Sequence, residues 1–290
     1  MNNLIRFFTH SFYLLLLLNI FSSNLFAQRF NTPNTIKQAT LIPCLIVRPD
    51  ACTKVDGQFM DNDGHVAVFN EYAANGNYFI AAPHGVCDDK TRQIVEVLYQ
   101  QGNGRWDALT ARYFRKPNLH FNVNRPTLEI EDAKKNDGID DYLQEEFTAD
   151  ARNVYECYVN RIKGLQSFAG MKLFVEIHGN GNNSRKNYLD IATYSGMSPQ
   201  KANQVKAIFQ SALQNNNVPL TAAVEGTATD PYFKATASKQ NGLFCMLENV
   251  NVPYLHIEIP ADYRKIDANR TKIIAALLQA LTQLQNGNVF

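Results

Sequence analysis

"MKLFVEIHGNGNN", Met171–Asn183, decides the fold. Its apolar first half is short and ends in a glycine-rich stretch, which marks a buried strand rather than a helix. The same form recurs in "TLIPCLIV" (Thr40–Val47), "HVAVF" (His65–Phe69), "NYFIAA" (Asn77–Ala82) and "PYLHIEI" (Pro253–Ile259). Between these runs the apolar spacing becomes helical. It does so over Thr91–Gln101, over Val154–Leu165, from Ser198 to Gln214 with Pro199 in the first turn, and over Asn269–Gln285. In the last of these, Ile273, Ile274, Leu277, Leu278, Leu281 and Leu284 form a stripe that reads as core. Strands alternating with helices predict a three-layer α/β/α domain around a mostly parallel or mixed sheet.

The chain has 290 residues, 45% hydrophobic and 19% charged, enough for a sizeable core. A net charge of +1 argues against a nucleic-acid partner. Met1–Ala27 reads as a secretory signal: Arg6 precedes the apolar "FYLLLLLNIF" (Phe12–Phe21), and small Ala27 stands before Gln28. That core is short for a membrane span, although an uncleaved anchor is the alternative, and no later stretch is apolar enough to span a bilayer. Residues 28–290 then form a single domain, neutral once Arg6 is removed, in a periplasmic or secreted protein. Export places Cys44, Cys52, Cys87, Cys157 and Cys245 in an oxidising compartment. Cys44 and Cys52 are close enough in sequence to pair, and an odd count leaves one thiol over.

In sheets of this kind ligands bind beyond the carboxyl ends of the strands. Three runs carry reactive residues there: "FIAAPHGVCDD" with His84, "LFVEIHGNGNN" with Glu176 and His178, and "YLHIEIP" with His256 and Glu258. A catalytic zinc takes about three His, Asp, Glu or Cys ligands and leaves a position open. His84, an acid a few residues on, and His178 fill three positions, and Glu258 is the base. Blander readings stand beside these. His84 fits a solvated turn, Asp88 or Asp89 fits a helix cap, and His256 fits a core or supporting role on the face it shares with Glu258. Cys87 is a nucleophile paired with a histidine, a metal ligand, or a small apolar filler. His65 and His120 have no such setting. In "HFNVNRPTLE", Arg125 follows Asn122 and Asn124, and its fork suits a substrate carboxylate, whereas an ordinary surface arginine is the plain alternative.

Four motifs in order, "PHGVCDDKT" (Pro83–Thr91), "NVNRP" (Asn122–Pro126), "EIHGNG" (Glu176–Gly181) and "HIEIP" (His256–Pro260), resemble the N-formylglutamate amidohydrolase family of zinc carboxypeptidase-like hydrolases. The resemblance spans roughly residues 75–285. It implies one zinc ion held by His84, Asp88 and His178, with Asp89 as the substitute for Asp88. It also implies Glu258 as general base, and Arg125 with Asn124 at the substrate carboxylate. The implied substrate is a carboxylate-bearing N-acyl amino acid or short peptide cut at an amide bond. Asn122 stands where the family commonly has Asp, and Cys87 occupies the Glu position of the His-x-x-Glu pattern of the zinc carboxypeptidases. A formylglutamate enzyme works in the cytoplasm, so export points to a different acylated substrate. A cysteine hydrolase using Cys87 and an exported, non-catalytic binding protein are the rival readings.

Overall fold

The computed structural model describes residues 57–60, 64–85, 88, 90–116, 119–130, 145–231, 234–287 and 289–290. All belong to a compact unit within Leu41–Phe290. The expected signal segment and the Thr40–Val47 strand lie outside the described residues, as do Cys44, Cys52, Cys87 and Asp89.

Eleven strands are described: β1 (Val68–Tyr72), β2 (Tyr78–Ala82), β3 (Trp106–Arg112), β4 (Arg115–Lys116), β5 (Leu119–Asn122), β6 (Thr127–Ile130), β7 (Glu145–Phe147), β8 (Leu173–Asn180), β9 (Tyr188–Thr193), β10 (Thr221–Val224) and β11 (Tyr254–Pro260). The helices are α1 (Thr91–Gln101), α2 (Ala149–Leu165), α3 (Pro199–Asn215), α4 (Thr236–Asn241), α5 (Leu243–Asn249), α6 (Ala261–Lys265) and α7 (Asp267–Asn286). The central sheet runs β1-β3-β2-β8-β11-β9-β10, and a smaller antiparallel sheet runs β4-β5-β6-β7. Strands β3, β2, β8 and β11 are mutually parallel. The flanking strands are not: β1 is antiparallel to β3, and β9, with β10 parallel to it, is antiparallel to β11.

Strand alternation divides the core in two. Ile80, Val175, Ile177, Leu255 and Ile257 face one side, under α1, α3 and the apolar stripe of α7. Phe79, Phe174 and Tyr254 face the other, under α2 and α5, with Tyr155, Tyr158 and Phe244 packed on them. Burying each such side chain contributes about 1.5–3 kcal/mol. The result is the expected three-layer α/β/α arrangement around a mixed sheet.

One strand reading is corrected. The run at His65–Phe69 forms a strand only from Val68, because Val66 is exposed and makes an isolated bridge to Met60. Strand β3 has no counterpart among the expected strands: Asp107 and Thr110 interrupt its apolar run, yet both are fully buried. One Asp107 oxygen accepts the backbone N–H groups of Ala74 and Asn75 at 2.6 and 3.1 Å, which repays part of the cost of burying it. Among the described cysteines, Cys157 and Cys245 are disulfide-bonded. No helix among the described residues is long and apolar enough to cross a membrane.

Helix α3 starts as its sequence predicts. The Ser198 hydroxyl accepts the Lys201 N–H at 3.2 Å, and Pro199 occupies the first turn. Ser198→Ala is expected to cost about 1 kcal/mol in denaturant unfolding, the usual loss for an N-cap.

Candidate metal centre

Strands β2, β8 and β11 bring three chemically active ends together. Strand β2 passes into the turn Pro83–Gly85, where the Gly85 N–H bonds Ala111 O at 3.1 Å. A Cβ on Gly85 would lie 2.7 Å from that oxygen, so the close approach requires glycine. The chain then folds back, with Asp88 N–H on His84 O at 2.8 Å. This turn carries the Asp88 carboxylate to His84 rather than to the helix: α1 is capped by Lys90 in the left-handed region, with no side-chain cap.

Asp88 Oδ2 lies 3.5 Å from His84 Nδ1 and 3.2 Å from His178 Nδ1. The two imidazoles meet edge to face, their centroids 5.0 Å apart. Ligands at about 2.1 Å on a tetrahedral ion stand about 3.4 Å apart. The two Asp88–histidine distances therefore match the spacing such an ion requires, the three donor groups lie within 4.8 Å of one another, and the residue types fit a divalent cation. His84, Asp88 and His178 thus converge although His84 and His178 come from different strands.

A second set, Glu176, His178 and His256, also converges but is a hydrogen-bond network. Glu176 is fully buried. Its Oε1 accepts Tyr158 OH at 3.1 Å, and its Oε2 accepts Asn124 Nδ2 at 2.9 Å. His178 Nε2 is 3.1 Å from the same Oε2. A histidine that gives Nδ1 to a metal and Nε2–H to a carboxylate is held in one tautomer and one ring orientation. Asn124 is therefore placed under His178. Arg125 follows it, half-buried, in a turn docked on the α4–α5 junction through Leu243 N–H to Asn124 O at 2.9 Å. Asn124 Oδ1 and His84 Nε2 are buried without a hydrogen bond among the described residues.

The charges agree with this reading. Burial disfavours the His178 cation, yet hydrogen bonds to Asp88 and Glu176 outweigh it and push the imidazole up to about 10. Burial likewise opposes ionisation of Asp88 and Glu176, but bonding to the histidines holds both below the ordinary carboxylate range. Two carboxylates around one imidazole make a site that draws positive charge. His256 stacks on His178 at 4.0 Å, and burial, with the His178 charge, holds it neutral. His256 Nε2 stands 2.9 Å from Glu258 Oε1. Glu258 is the cross-strand neighbour of His178, and burial raises it to about 7 against the pull of His178.

Sequence reading passes over Glu176 and Tyr158 as supports. The signal for Glu176 was its spacing: two residues before His178 on a strand places it on the same face. Tyr158 sits inside a helical stripe that reads as plain core. Cys87 lies outside the described residues.

No known protein-family profile matches the sequence, and no curated protein matches it. Among solved structures, the chain is similar to a metallo-carboxypeptidase from Burkholderia cenocepacia, with 13% identity over 78% of this chain and 62% of that one, and a TM-score of 0.45. A metallo-carboxypeptidase from Pseudomonas aeruginosa, solved in complex with (2-guanidinoethylmercapto)succinic acid, gives 12% identity over 80% and 63%, with a TM-score of 0.44. A bacteriophage poly-gamma-glutamate hydrolase gives 11% identity over 80% and 99%, with a TM-score of 0.41. The chain spans less than two thirds of the length of either carboxypeptidase.

Proposed function

We propose that this chain is a zinc-dependent hydrolase that cleaves an amide bond in a carboxylate-bearing N-acyl amino acid or short peptide. One observation carries the reading: Asp88 Oδ2 stands 3.5 Å from His84 Nδ1 and 3.2 Å from His178 Nδ1, all three donor groups lie within 4.8 Å of one another, and Glu258 is the strand neighbour of His178. A ligand set of histidine and carboxylate favours zinc among divalent ions. The N-formylglutamate amidohydrolase resemblance supports the amide and the carboxylate. Disulfide bonding of Cys157 and Cys245 agrees with export to the periplasm or beyond.

A divalent cation held there supplies a Lewis acid that polarises a carbonyl and acidifies a water molecule. The remaining work belongs to the chain. Glu258 takes the proton of the attacking water as its oxygen bonds the acyl carbon. The same carboxyl gives that proton to the nitrogen as the C–N bond breaks. His256 holds Glu258 in place through its 2.9 Å contact. Arg125 holds the substrate carboxylate, which fixes the amide over the site.

Elemental analysis tests the reading. Wild-type protein is expected to carry about one zinc ion per chain, the stoichiometry of a three-ligand site. His84→Ala and His178→Ala are each expected to lose it, together with hydrolysis of N-acyl amino acids and short peptides. Wild-type protein that takes up no metal when zinc is offered overturns the reading.

A further inference from the structure

A second built feature stands on the strand next to Glu258. Strand β9 runs antiparallel to β11, which sets Asp190 directly beside Glu258. His178, Glu258 and Asp190 therefore form one row across three strands on one face. Asp190 is fully buried. Asn180, two residues beyond His178, donates its Nδ2 to Asp190 Oδ2 at 3.2 Å.

Arg185, from the loop between β8 and β9, grips the same carboxylate in a fork. Its Nε donates to Asp190 Oδ2 at 3.2 Å and one terminal nitrogen donates to Oδ1. The guanidinium also stacks on the Tyr188 ring, 3.9 Å from its centroid. The loop beneath is tied by Asn182 N–H to Asn180 Oδ1 at 2.8 Å and Ser184 N–H to Asn182 Oδ1 at 2.9 Å. Asp190 thereby takes the Nε–Nη2 edge of the guanidinium, and Tyr188 takes one face. Among the described residues nothing hydrogen-bonds the Nη1 edge, and the side chain is 17% exposed.

We propose that Arg185, held by Asp190 next to Glu258, is a carboxylate-binding, specificity-determining residue. Its outer edge presents two parallel N–H donors, the shape a carboxylate accepts. Asp190, Asn180 and Tyr188 fix its orientation in advance, so little side-chain freedom is lost on binding. The Arg185–Asp190 pair has no net charge, which favours a singly charged planar carboxylate over a doubly charged phosphate. The position one strand beyond Glu258 suits a second carboxylate, other than the one Arg125 holds, set back from the scissile bond. That this carboxylate belongs to a substrate rests on the hydrolase reading; the binding itself does not.

Succinate and succinamide are the probes, titrated into the metal-loaded protein. Binding is followed by calorimetry and by the ¹⁵N resonance of Arg185 Nε, assigned by its loss in Arg185→Lys. Succinate is expected to bind and shift that resonance, and succinamide to do neither. Arg185→Gln is expected to weaken succinate by about 10- to 100-fold, the range of a charge-assisted pair. Because Arg185→Gln leaves Asp190 buried and unpaired, Arg185→Gln/Asp190→Asn is measured beside it, and the same loss is expected. Unchanged succinate affinity in the folded double variant overturns the proposal. So does a wild-type protein that binds neither probe, or both equally. A protein that hydrolyses N-acyl amino acids with Arg185 indifferent to succinate loses this inference alone. One whose Arg185 binds succinate but which hydrolyses nothing loses the hydrolase reading alone.

Discussion

Glu258→Gln is expected to lower kcat by about a thousandfold while leaving the metal content unchanged. Glutamine has the volume of glutamate and keeps an oxygen for the His256 contact, so the packing around β11 survives. It cannot accept a proton from water or return one to a leaving nitrogen. Glu258 is suited to that exchange because burial raises it to about 7, where it gains and loses a proton near neutral pH. Its register with His178 places it at the centre without including it among the converging donor atoms. The check is a turnover assay on any N-acyl amino acid or peptide the wild type cleaves, paired with elemental analysis. Full activity in Glu258→Gln would move the base elsewhere. Lost metal would make Glu258 a ligand.

Glu176→Leu is expected to act on stability and on metal together. Glu176 is fully buried, and three donors converge on its two oxygens, from Tyr158, Asn124 and His178. Leucine fills similar space but accepts nothing. Removing one partner of a buried charged network costs about 3–5 kcal/mol, read here as urea unfolding of the metal-free protein. Without a carboxylate on Nε2, His178 loses its fixed tautomer and ring orientation. Metal affinity is then expected to fall by about 10- to 100-fold in a chelator competition. A variant with wild-type stability and affinity would show that Glu176 carries no part of the site.

The two substitutions separate groups that look alike in the sequence. Glu176 and Glu258 both stand near the end of an apolar strand, two residues from a histidine. Glu176 is sealed by three donors and held ionised, whereas Glu258 has one side-chain hydrogen-bond partner among the described residues, His256, and is drawn toward neutrality by burial. The chemistry of each carboxylate comes from what packs on it.

The sequence by itself determined the layers and the faces. Alternation along "LFVEIH" and "YLHIEI" assigns the aliphatic residues to one side of the sheet and the polar ones to the other, because the strand period is two. The α7 stripe and the Ser198 cap are equally local, set within one or two turns of helix. Strand β3 escaped because its burial depends on Asp107 meeting the Ala74–Asn75 backbone more than thirty residues away. Only the tertiary structure decided that Asp88 turns to His178 instead of capping α1, and that Tyr158 and Asn124 seal Glu176. It also decided that an antiparallel β9 sets Asp190, gripped by Arg185, beside Glu258. These contacts join residues brought together by strand order and chain direction. Both are set by how whole faces pack, and no local window of sequence contains them.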